Sequence, residues 1–459
     1  MNEKKIFYNK KNKNKSTRLV ALEIWILVFY KNKKFDDIIK KSFDFNKLDR
    51  RDKSFLFLLI NTCMRRHKQA QKIYNEYARF GIKKKNRYLN GILVIATIQL
   101  IWLEIAPYAV LNEAVNQAKF YIGDKQSKLV NAILRNMLAN KDDWLSLIPE
   151  DKYNLPEWLL NSWISSYGEK NVDEIATIAM EPPPLDIVVS NKMKKSELEQ
   201  FKLNLSGEQI LPNVIRCNLN EPVESLPGFS DGIWWIQDVA SQIPCNLLLS
   251  KIKQHFTKSI NSIKIIDMCC APGGKTAQLL NNELDVVSIE KSKLRSHNFK
   301  ENMKRLNFNS NLINANAENF MPNFKADVIL IDAPCSATGT IRKNPDIFIK
   351  PAPTNLDDLI LTQDNILNNA SKILKKNGLI MYVTCSLQKI EGERRMEKFL
   401  KKNKNFSILP FISSDYPMIN GCITEEGFIR ILPNYFKFNS DDVMNGSDGF
   451  FVSLVKMEN

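Results

Sequence analysis

Residues 263–276, which read IKIIDMCCAPGGKT, decide the fold of the second half of this chain. The first five residues predict a buried β-strand, and the residues from Gly274 onward predict a helix. Between them, Gly273 and Gly274 let a ligand approach the backbone closely, and the start of the helix offers free N–H groups. The stretch therefore predicts a strand, a loop and a helix that together bind a ligand.

The sequence after this stretch continues to alternate strands and helices. Further strands are predicted at 284–289, 311–315, 326–331 and 378–384, and helices at 274–281 and 292–306. This alternation predicts a doubly wound, Rossmann-like α/β domain with a mostly parallel sheet over residues 236–459. In such sheets ligands bind beyond the carboxyl ends of the strands, so we look for functional side chains there.

The sequence before this stretch predicts three further parts. Residues 1–15 read as a basic disordered arm, and residues 16–145 as an all-α domain in which apolar side chains recur three and four apart. Pro107 is expected to open one of its helices. Residues 146–235 are predicted to form a connector and a small α/β domain, with a strand at 186–189 and a helix near 195–202.

The charge of the chain is unevenly distributed. The 459 residues contain 65 Lys+Arg and 50 Asp+Glu, a net charge of +15. Residues 1–150 hold 30 basic and 14 acidic residues, or +16, and residues 151–459 hold 35 and 36, or −1. A basic first third suits a polyanion such as RNA, because each phosphate contact releases counterions. The alternative is a solvated surface on a protein rich in lysine and asparagine.

The composition argues against several classes of protein. Apolar residues make up 44% of the chain, which excludes wholesale disorder. The three histidines are far apart and the cysteines form no CxxC, so we expect no metal site. The longest apolar run, residues 91–103, is too short to span a bilayer, and we find no signal-peptide pattern. We therefore expect a cytoplasmic protein without a membrane segment.

Two features at the ends of the predicted strands indicate the kind of cofactor. The run from Gly273 to Thr276 resembles the end of a P-loop, but the glycine that a P-loop needs five residues before Gly274 is Cys269. Glu290 ends the second strand, where an acid can accept hydrogen bonds from both ribose hydroxyls of an adenosine. Because GxGxxG is absent, the sequence predicts an adenosine-bearing cofactor other than NAD.

Two cysteines follow neighbouring predicted strands. Cys335 comes after Asp332 at the end of one strand, and Cys385 comes after Thr384 at the end of another. Either could be a small core residue. As thiolates they suit addition to carbon 6 of a pyrimidine, which activates carbon 5 for methylation. Lys275 could lower a thiol pKa and Asp332 could hydrogen-bond the base; the residues alone leave open which thiol attacks.

These motifs resemble those of the RNA cytosine-5 methyltransferases of the RsmB (Sun/Fmu) type. The similar segments are DMCCAPGGKT (267–276), IDAPCSATGT (331–340), YVTCS (382–386), QDVASQ (237–242) and DGFF (448–451). The helical first third, including LVNAILR (129–135), is similar to the NusB-like RNA-binding domain fused to that family. The resemblance covers nearly the whole chain, and the pair of cysteine motifs is highly specific.

The resemblance implies an S-adenosylmethionine-dependent enzyme that makes 5-methylcytosine in 16S ribosomal RNA. Cys385 would attack carbon 6 and Cys335 would assist product release or deprotonation of carbon 5. Asp332 would lie between cofactor and base, with Lys275 beside it. The residues implied for cofactor binding are Cys269, Cys270, Ala271, Pro272, Gly273, Gly274, Lys275, Glu290, Asn316 and Asp332. We expect small-subunit ribosomal RNA as the partner and a monomeric protein.

The chain departs from the family pattern at several positions. The ribose acid, usually Asp, is Glu290, and the adenine-side Asp is Asn316. The family's SGTG is SATG at 336–339, its Glu-Asn-Glu is EGE at 391–393, and its Arg-x-Asn in the linker is replaced within VVSN at 188–191. None of these changes removes a catalytic group. The alternative function that we keep open is a non-catalytic RNA-binding or ribosome assembly factor.

Overall fold

The computed structural model describes residues 15–83, 85–218, 222–353, 355–438 and 445–458. All but the last residue of the predicted basic arm at 1–15 lies outside this part. The chain forms two compact units. The described residues of the first are 15–83, 85–164, 172–180 and 344–352, and the rest form the second. The predicted boundaries at 145/146 and 235/236 stay predictions.

The first third of the chain is helical, as predicted. Its helices are α1 (Thr17–Lys31), α2 (Phe35–Lys41), α3 (Phe43–Asn46), α4 (Arg50–Glu76), α5 (Arg87–Ile101), α6 (Pro107–Ile122), α7 (Asp124–Ala139) and α8 (Trp144–Leu147). They are followed by α9 (Glu157–Tyr167) and α10 (Glu169–Met180). Pro107 occupies the first turn of α6, where its missing N–H leaves no hydrogen bond unmade.

The core of the helical unit is built around α5, which is buried along most of its length. Gly91 in α5 faces Trp25 of α1, and a Cβ added to Gly91 would lie 2.7 Å from the Trp25 ring. The glycine therefore lets the two helices approach closely. Ile349, from the distant segment 344–352, packs against the same core.

The second unit contains a small antiparallel sheet. Its elements are β1 (Leu185–Val189), α11 (Lys195–Asn204), β2 (Glu208–Leu211), β3 (Val214–Cys217) and β4 (Trp234–Ile236). The strand order is β2-β3-β1-β4. Asp186 on β1 and Arg216 on β3 form a fully buried ion pair with an Nε–Oδ1 distance of 2.7 Å. The strand at 186–189 and the helix near 195–202 confirm the predicted small α/β fold.

The larger sheet follows with its helices. In chain order the elements are α12 (Val239–His255), β5 (Lys264–Met268), α13 (Gly274–Asn281), β6 (Asp285–Ile289), α14 (Lys293–Arg305), β7 (Asn311–Ile313), β8 (Ala326–Asp332), α15 (Leu356–Ile373), β9 (Leu374–Thr384), α16 (Glu393–Lys402), β10 (Phe406–Ile408), β11 (Ile429–Ile431) and β12 (Phe450–Met457).

The strand order of this sheet is β10-β12-β9-β8-β5-β6-β7, and β11 also pairs with β12. The five strands from β9 to β7 are parallel, and β10, β11 and β12 pair antiparallel, so the predicted doubly wound, mostly parallel sheet is confirmed. After β5 the chain adds β6 and β7 on one side, then returns to add β8 and β9 on the other. The carboxyl ends of β5 and β8 therefore border the crevice where such sheets bind ligands.

Two predicted strands differ from the observed ones by two residues or more at one end. β7 stops at Ile313, two residues early, and β9 begins at Leu374, four residues early. The sequence does not predict the start of β9, because the residues before Gly378 are polar. The structure is irregular there as well: the pairing of β9 with β8 shifts register, and Asn377 has a left-handed φ of 58°. In the described part of the chain no helix is long and apolar enough to cross a membrane.

Candidate active site

The loop after β5 reverses the chain tightly before α13 begins. Cys269 has a φ of 62° and Gly273 a φ of 109°, both in the left-handed region. A Cβ on Gly273 would lie 2.8 Å from Met303 Cε and 3.0 Å from Phe299 Cδ2, so only glycine fits there without a shift. The N-terminal turn of α13 then starts at Gly274. Cys270 and Ala271, in the same loop, are buried.

Two buried carboxylates flank this loop, and each keeps one acceptor atom without a hydrogen bond among the described residues. Asp267 accepts a hydrogen bond from Thr276 Oγ1 at 2.5 Å through Oδ2, while its Oδ1 has no donor. Burial raises the pKa of Asp267 to about 7. Glu290 accepts from the Ser292 backbone N–H at 2.8 Å through Oε1, while its Oε2 has no hydrogen bond. Arg295 Nη1 lies 3.3 Å from that Oε2 but is not aligned to donate.

Asn316 lies in the segment after β7, at the same edge of the sheet as Glu290. Its amide Nδ2 donates to Glu318 Oε1 at 3.3 Å, and its Oδ1 accepts from the Glu318 backbone N–H at 3.2 Å. The side chain is partly exposed. Asn316 is therefore held in a local turn, from which it can still bind a neighbouring group.

Lys275 and Asp332 form an ion pair at the carboxyl ends of β5 and β8. The distance from Lys275 Nζ to Asp332 Oδ2 is 2.8 Å, and Nζ also approaches Ser241 Oγ at 3.4 Å. Burial lowers the pKa of Lys275, but the ion pair with Asp332 outweighs it, so the pKa is raised overall. Lys275 is therefore a cation at neutral pH, and the Asp332 carboxylate remains partly exposed.

The two cysteines of interest are in contact. Cys335 follows β8 and Cys385 follows β9, and their Sγ atoms are 3.5 Å apart. The loops are joined by hydrogen bonds from the Ala333 N–H to Val383 and from the Gly339 N–H to Cys385, each 2.9 Å long. The hydrogen bond with Cys385, burial and nearby negative charge together raise the pKa of Cys335 well above its usual value.

Three other cysteines of the second unit are poor nucleophiles. Burial raises the pKa of Cys269 and of Cys217 to about 12, and raises the pKa of Cys270 further. Cys270 is buried beneath the β5 loop. These thiols therefore stay protonated at neutral pH. Since the pKa of Cys335 is raised as well, it is the contact between the Cys335 and Cys385 Sγ atoms that distinguishes this pair.

A buried carboxylate that the sequence did not single out for a role, Glu391, lies beneath the two thiol loops. Its Oε1 accepts from the Ser336 backbone N–H at 2.9 Å and from Gln363 Nε2 at 3.1 Å. Its Oε2 accepts from Ser386 Oγ at 2.5 Å and from Ser336 Oγ. The only sequence signal for this residue was its place in the EGE segment that replaces the family's Glu-Asn-Glu.

A second ion cluster borders a cavity of about 440 Å³ beside the β5 loop. Lys343 Nζ lies 2.8 Å from Asp238 Oδ2 and 2.7 Å from Asp448 Oδ2, and both pairs are largely buried. The same cavity is lined by Lys275 and Asp332. Asp238 and Asp448 belong to the segments quoted for the family resemblance, but their shared lysine was not predicted.

The residues at this edge fit an adenosyl cofactor. Oε2 of Glu290 accepts no hydrogen bond and lies 3.3 Å from Arg295 Nη1, so it could accept one from a ribose hydroxyl, and Gly273 with the start of α13 provides a close backbone surface. In the described residues no group of three His, Cys, Asp or Glu side chains is placed to hold a metal. The fold and site define an S-adenosylmethionine-dependent methyltransferase.

Comparison with known proteins identifies the family. Residues 257–456 match the family described as 16S rRNA methyltransferase RsmB/F, and residues 15–139 match the NusB family. The ribosomal RNA small subunit methyltransferase B of Photorhabdus laumondii is 30% identical over 383 residues, covering 81% of this chain and 82% of the relative. That of Pasteurella multocida is 27% identical over 96% of both chains. The chain belongs to the RsmB/F family of 16S rRNA methyltransferases, fused to a NusB-like domain.

Solved structures show the same fold. The crystal structure of PH0851 superposes with a TM-score of 0.70 at 19% identity and covers 98% of this chain and all of its own. NSun6 from Pyrococcus horikoshii superposes with a TM-score of 0.55 at 18% identity and covers 67% of this chain and 99% of its own. The all-α, small α/β and Rossmann-like parts predicted from the sequence are thereby confirmed as the fold class.

Proposed function

We propose that this enzyme methylates carbon 5 of a cytosine in 16S ribosomal RNA through a covalent adduct on Cys385. The observation that carries the proposal is the 3.5 Å contact between the Sγ atoms of Cys335 and Cys385, at the same sheet edge as the Lys275–Asp332 pair. Methylation of a base nitrogen or a ribose hydroxyl needs no thiol, whereas carbon 5 of cytosine must first be activated.

In this proposal Cys385 adds to carbon 6 of the base, and Asp332 and Lys275 hold the base. The thiolate forms a bond to carbon 6, and the electron pair of the 5,6 double bond is pushed toward carbon 5. Asp332 accepts a hydrogen bond from the polar edge of the base, and the Lys275 cation stabilises the negative charge that develops on the ring. The base must be unpaired or flipped out, because carbon 6 is shielded in a stacked helix.

S-adenosylmethionine supplies the methyl group when it is bound. We propose that Glu290 holds its ribose, that Asn316 contacts its adenine, and that the loop from Cys269 to Lys275 encloses the remainder. The unused Oε2 of Glu290 and the glycine-only position at 273 support this placement. Asp332, which lies at the end of β8 beside the β5 loop, would separate cofactor from base.

Cys335 is the group that we propose removes the proton from carbon 5. Before attack, its raised pKa keeps it a thiol that donates to Cys385. Once Cys385 is a neutral thioether, its hydrogen bond and its charge no longer raise the pKa of Cys335, while burial and the charge of Glu391 still do. In this proposal Cys335 then passes its proton to water. The Cys335 thiolate then takes the carbon-5 proton, and the electron pair left behind restores the double bond and expels Cys385.

We propose that the NusB-like unit binds the ribosomal RNA. The excess of basic residues in the first 150 positions supports this role, because the catalytic part has almost no net charge. Several of these cations are exposed, including Lys31, Lys33, Lys34, Lys40 and Lys41. RNA affinity should therefore fall steeply as the salt concentration rises.

A trapping assay tests the nucleophile. Cys335→Ala and Cys385→Ala are incubated with unmodified 16S rRNA transcript and methyl-labelled S-adenosylmethionine, then analysed by denaturing electrophoresis. Cys335→Ala is expected to accumulate a protein–RNA adduct, because the carbon-5 proton cannot be removed, and Cys385→Ala is expected to form none. Cys422→Ala, a buried cysteine outside the site, serves as the matched control and should turn over like wild type.

Four results would contradict the proposal. An adduct with Cys385→Ala and none with Cys335→Ala would exchange the roles of the thiols. Methyl transfer that survives in Cys385→Ala, or a product other than 5-methylcytosine on nucleoside analysis, would exclude the adduct mechanism. If wild type binds 16S rRNA and S-adenosylmethionine but transfers no methyl group, the chain is an assembly factor instead.

A further inference from the structure

Glu391 is the most completely hydrogen-bonded carboxylate beneath the proposed active site, and the mechanism above gives it no role. Its side chain is fully buried. All four of its hydrogen bonds come from hydroxyl, amide or backbone N–H groups: Ser336 Oγ, Ser336 N, Ser386 Oγ and Gln363 Nε2. A buried carboxylate is tolerated only when its acceptor positions are filled, so this arrangement resists distortion.

The partners of Glu391 are the residues next to the two thiols. Ser336 follows Cys335 and Ser386 follows Cys385, and their hydroxyl oxygens are also 3.0 Å from each other. One carboxylate therefore fixes both loops at the residue adjacent to each Sγ. The third donor, Gln363 on α15, also donates to Pro334 O at 2.9 Å, immediately before Cys335.

Further bonds make the connection between the loops rigid. Thr338 Oγ1 accepts from the Leu387 N–H at 3.0 Å and lies 3.3 Å from Ser386 Oγ. The backbone of Glu391 is held as well, because Tyr382 Oη donates to its carbonyl at 2.9 Å. The backbone of Glu391 is thus held by Tyr382 of β9, and its carboxylate is held by both thiol loops.

We propose that Glu391 is a positioning residue that holds the Cys335 and Cys385 loops at the separation needed for attack and proton removal. The proposal rests on the function proposed above and deepens it. Reacting groups must lie close to their productive geometry, and a displacement of about 1 Å costs on the order of 100-fold in rate. The negative charge of Glu391 also contributes to the raised pKa of Cys335, after the Cys385 hydrogen bond and burial.

Three variants test this role. Glu391→Ala removes all four hydrogen bonds and should lower kcat on 16S rRNA transcript about 100-fold, with KM for S-adenosylmethionine changed less than about 3-fold. Glu391→Gln keeps the shape and can re-form bonds with the rotatable serine hydroxyls, so it should recover much of that loss. Asp415→Ala is the matched control, because Asp415 is a buried carboxylate that holds Ile412 and Lys251 elsewhere in the same unit.

The outcomes separate positioning from general stability. Loss of kcat in Glu391→Ala but not in Asp415→Ala, at comparable melting temperatures, supports the proposal. A Glu391→Ala enzyme within about 3-fold of wild type, or an equal loss in Asp415→Ala, overturns it. If Glu391→Ala does not fold, the double variant Ser336→Ala with Ser386→Ala removes two of the four bonds, those from the two hydroxyls, and must also lower kcat.

An assay without RNA separates failure of this inference from failure of the proposed function. In a Cys385→Ser background, the rate of Cys335 alkylation by iodoacetamide is followed against pH. Glu391→Gln should move the midpoint to lower pH, because it removes a negative charge that disfavours the thiolate. An unchanged midpoint contradicts the influence of Glu391 on this thiol, whether or not the enzyme methylates cytosine.

Discussion

The buried carboxylates of the proposed site fall into two groups that differ in their hydrogen bonding. One group lies beside the β5 loop, on what we call the cofactor side, and the other lies beneath the Cys335 and Cys385 loops, on what we call the thiol side. On the cofactor side, Asp267 and Glu290 are buried but each keeps one acceptor oxygen without a hydrogen bond among the described residues. On the thiol side, Glu391 has both oxygens filled by donors from the protein. An unfilled buried acceptor costs free energy until a ligand supplies the donor, whereas a filled one stabilises the loops themselves.

This difference matches two different requirements at the same sheet edge, reversible binding of the cofactor and fixed geometry of the thiols. The cofactor must enter and leave at each turnover, so its side keeps unmet acceptors and a glycine-lined loop. The thiols remain with the protein, so their side has its geometry fixed in advance. The comparison predicts that substitutions on the cofactor side change affinity and pH dependence, while those on the thiol side change rate or loop stability.

Asp267 gives the largest expected change in stability. Its pKa is raised by burial to about 7, so between about pH 4 and pH 7 the folded state holds a proton that the unfolded state has lost. This contribution to stability is complete below the unfolded pKa and is lost as the pH rises through about 7. Between pH 5 and pH 8 the loss is about 2–3 kcal/mol.

The measurement is urea unfolding of wild type and Asp267→Asn at pH 5, 6, 7 and 8. The asparagine is neutral throughout and can still accept from Thr276, so the variant should lack this part of the pH dependence. Asp448, whose pKa is also raised to about 7 by burial, is unchanged in both proteins and cancels in the difference. Parallel curves for the two proteins would show that Asp267 does not titrate in this range.

Glu290 tests the cofactor side directly and should give the next largest effect. Glu290→Gln keeps an acceptor for the Ser292 N–H but replaces Oε2, which accepts no hydrogen bond, with an amide nitrogen that cannot accept from a hydroxyl. We expect the Kd for S-adenosylmethionine to rise about 10-fold, the equivalent of about 1.4 kcal/mol. Isothermal titration calorimetry without RNA measures it.

Glu290→Asp provides the control for this measurement, because it preserves the carboxylate and should bind more tightly than Glu290→Gln. Equal affinities for wild type and Glu290→Gln would mean that the ribose is held elsewhere. In that case the acceptor of Glu290 that lacks a hydrogen bond would have no role in cofactor binding, and the proposed difference between Glu290 and Glu391 would be wrong.

The sequence predicts those elements whose bounds are set by neighbouring residues, and it does not predict contacts between segments that are far apart along the chain. Helix α13 has the predicted bounds, 274–281, because a glycine pair starts it and an asparagine pair ends its apolar pattern. The sharing of segment 344–352 with the helical unit was not predictable, since packing of Ile349 depends on a core more than 200 residues away in the sequence.

The same limit applies to the site. Parallel strand order explains why Cys335 and Cys385 come to neighbouring strand ends, but not their 3.5 Å separation. The loops that carry the two thiols are held by Glu391, which accepts hydrogen bonds from Ser336, 55 positions away, and from Gln363, 28 positions away. Contacts at such separations are not visible in the local sequence. The glycine at 392 is explained only by the fold, since a Cβ there would lie 2.6 Å from Arg430 Nη2. The assigned roles of the site residues stay predictions.

Ala337 gives the smallest expected effect and tests whether the thiol side is rigid at every residue. Its φ of 55° lies in the left-handed region, which costs an alanine about 1 kcal/mol relative to glycine. Ala337→Gly relieves this strain but gives the unfolded chain more freedom, so the net gain in unfolding free energy should be under about 1 kcal/mol. Because Glu391 holds Ser336 independently, kcat should stay within about 2-fold of wild type. Urea unfolding and steady-state kinetics measure both; a large rise in kcat would show that the strain at Ala337, rather than the Glu391 bonds, limits the geometry of the thiols.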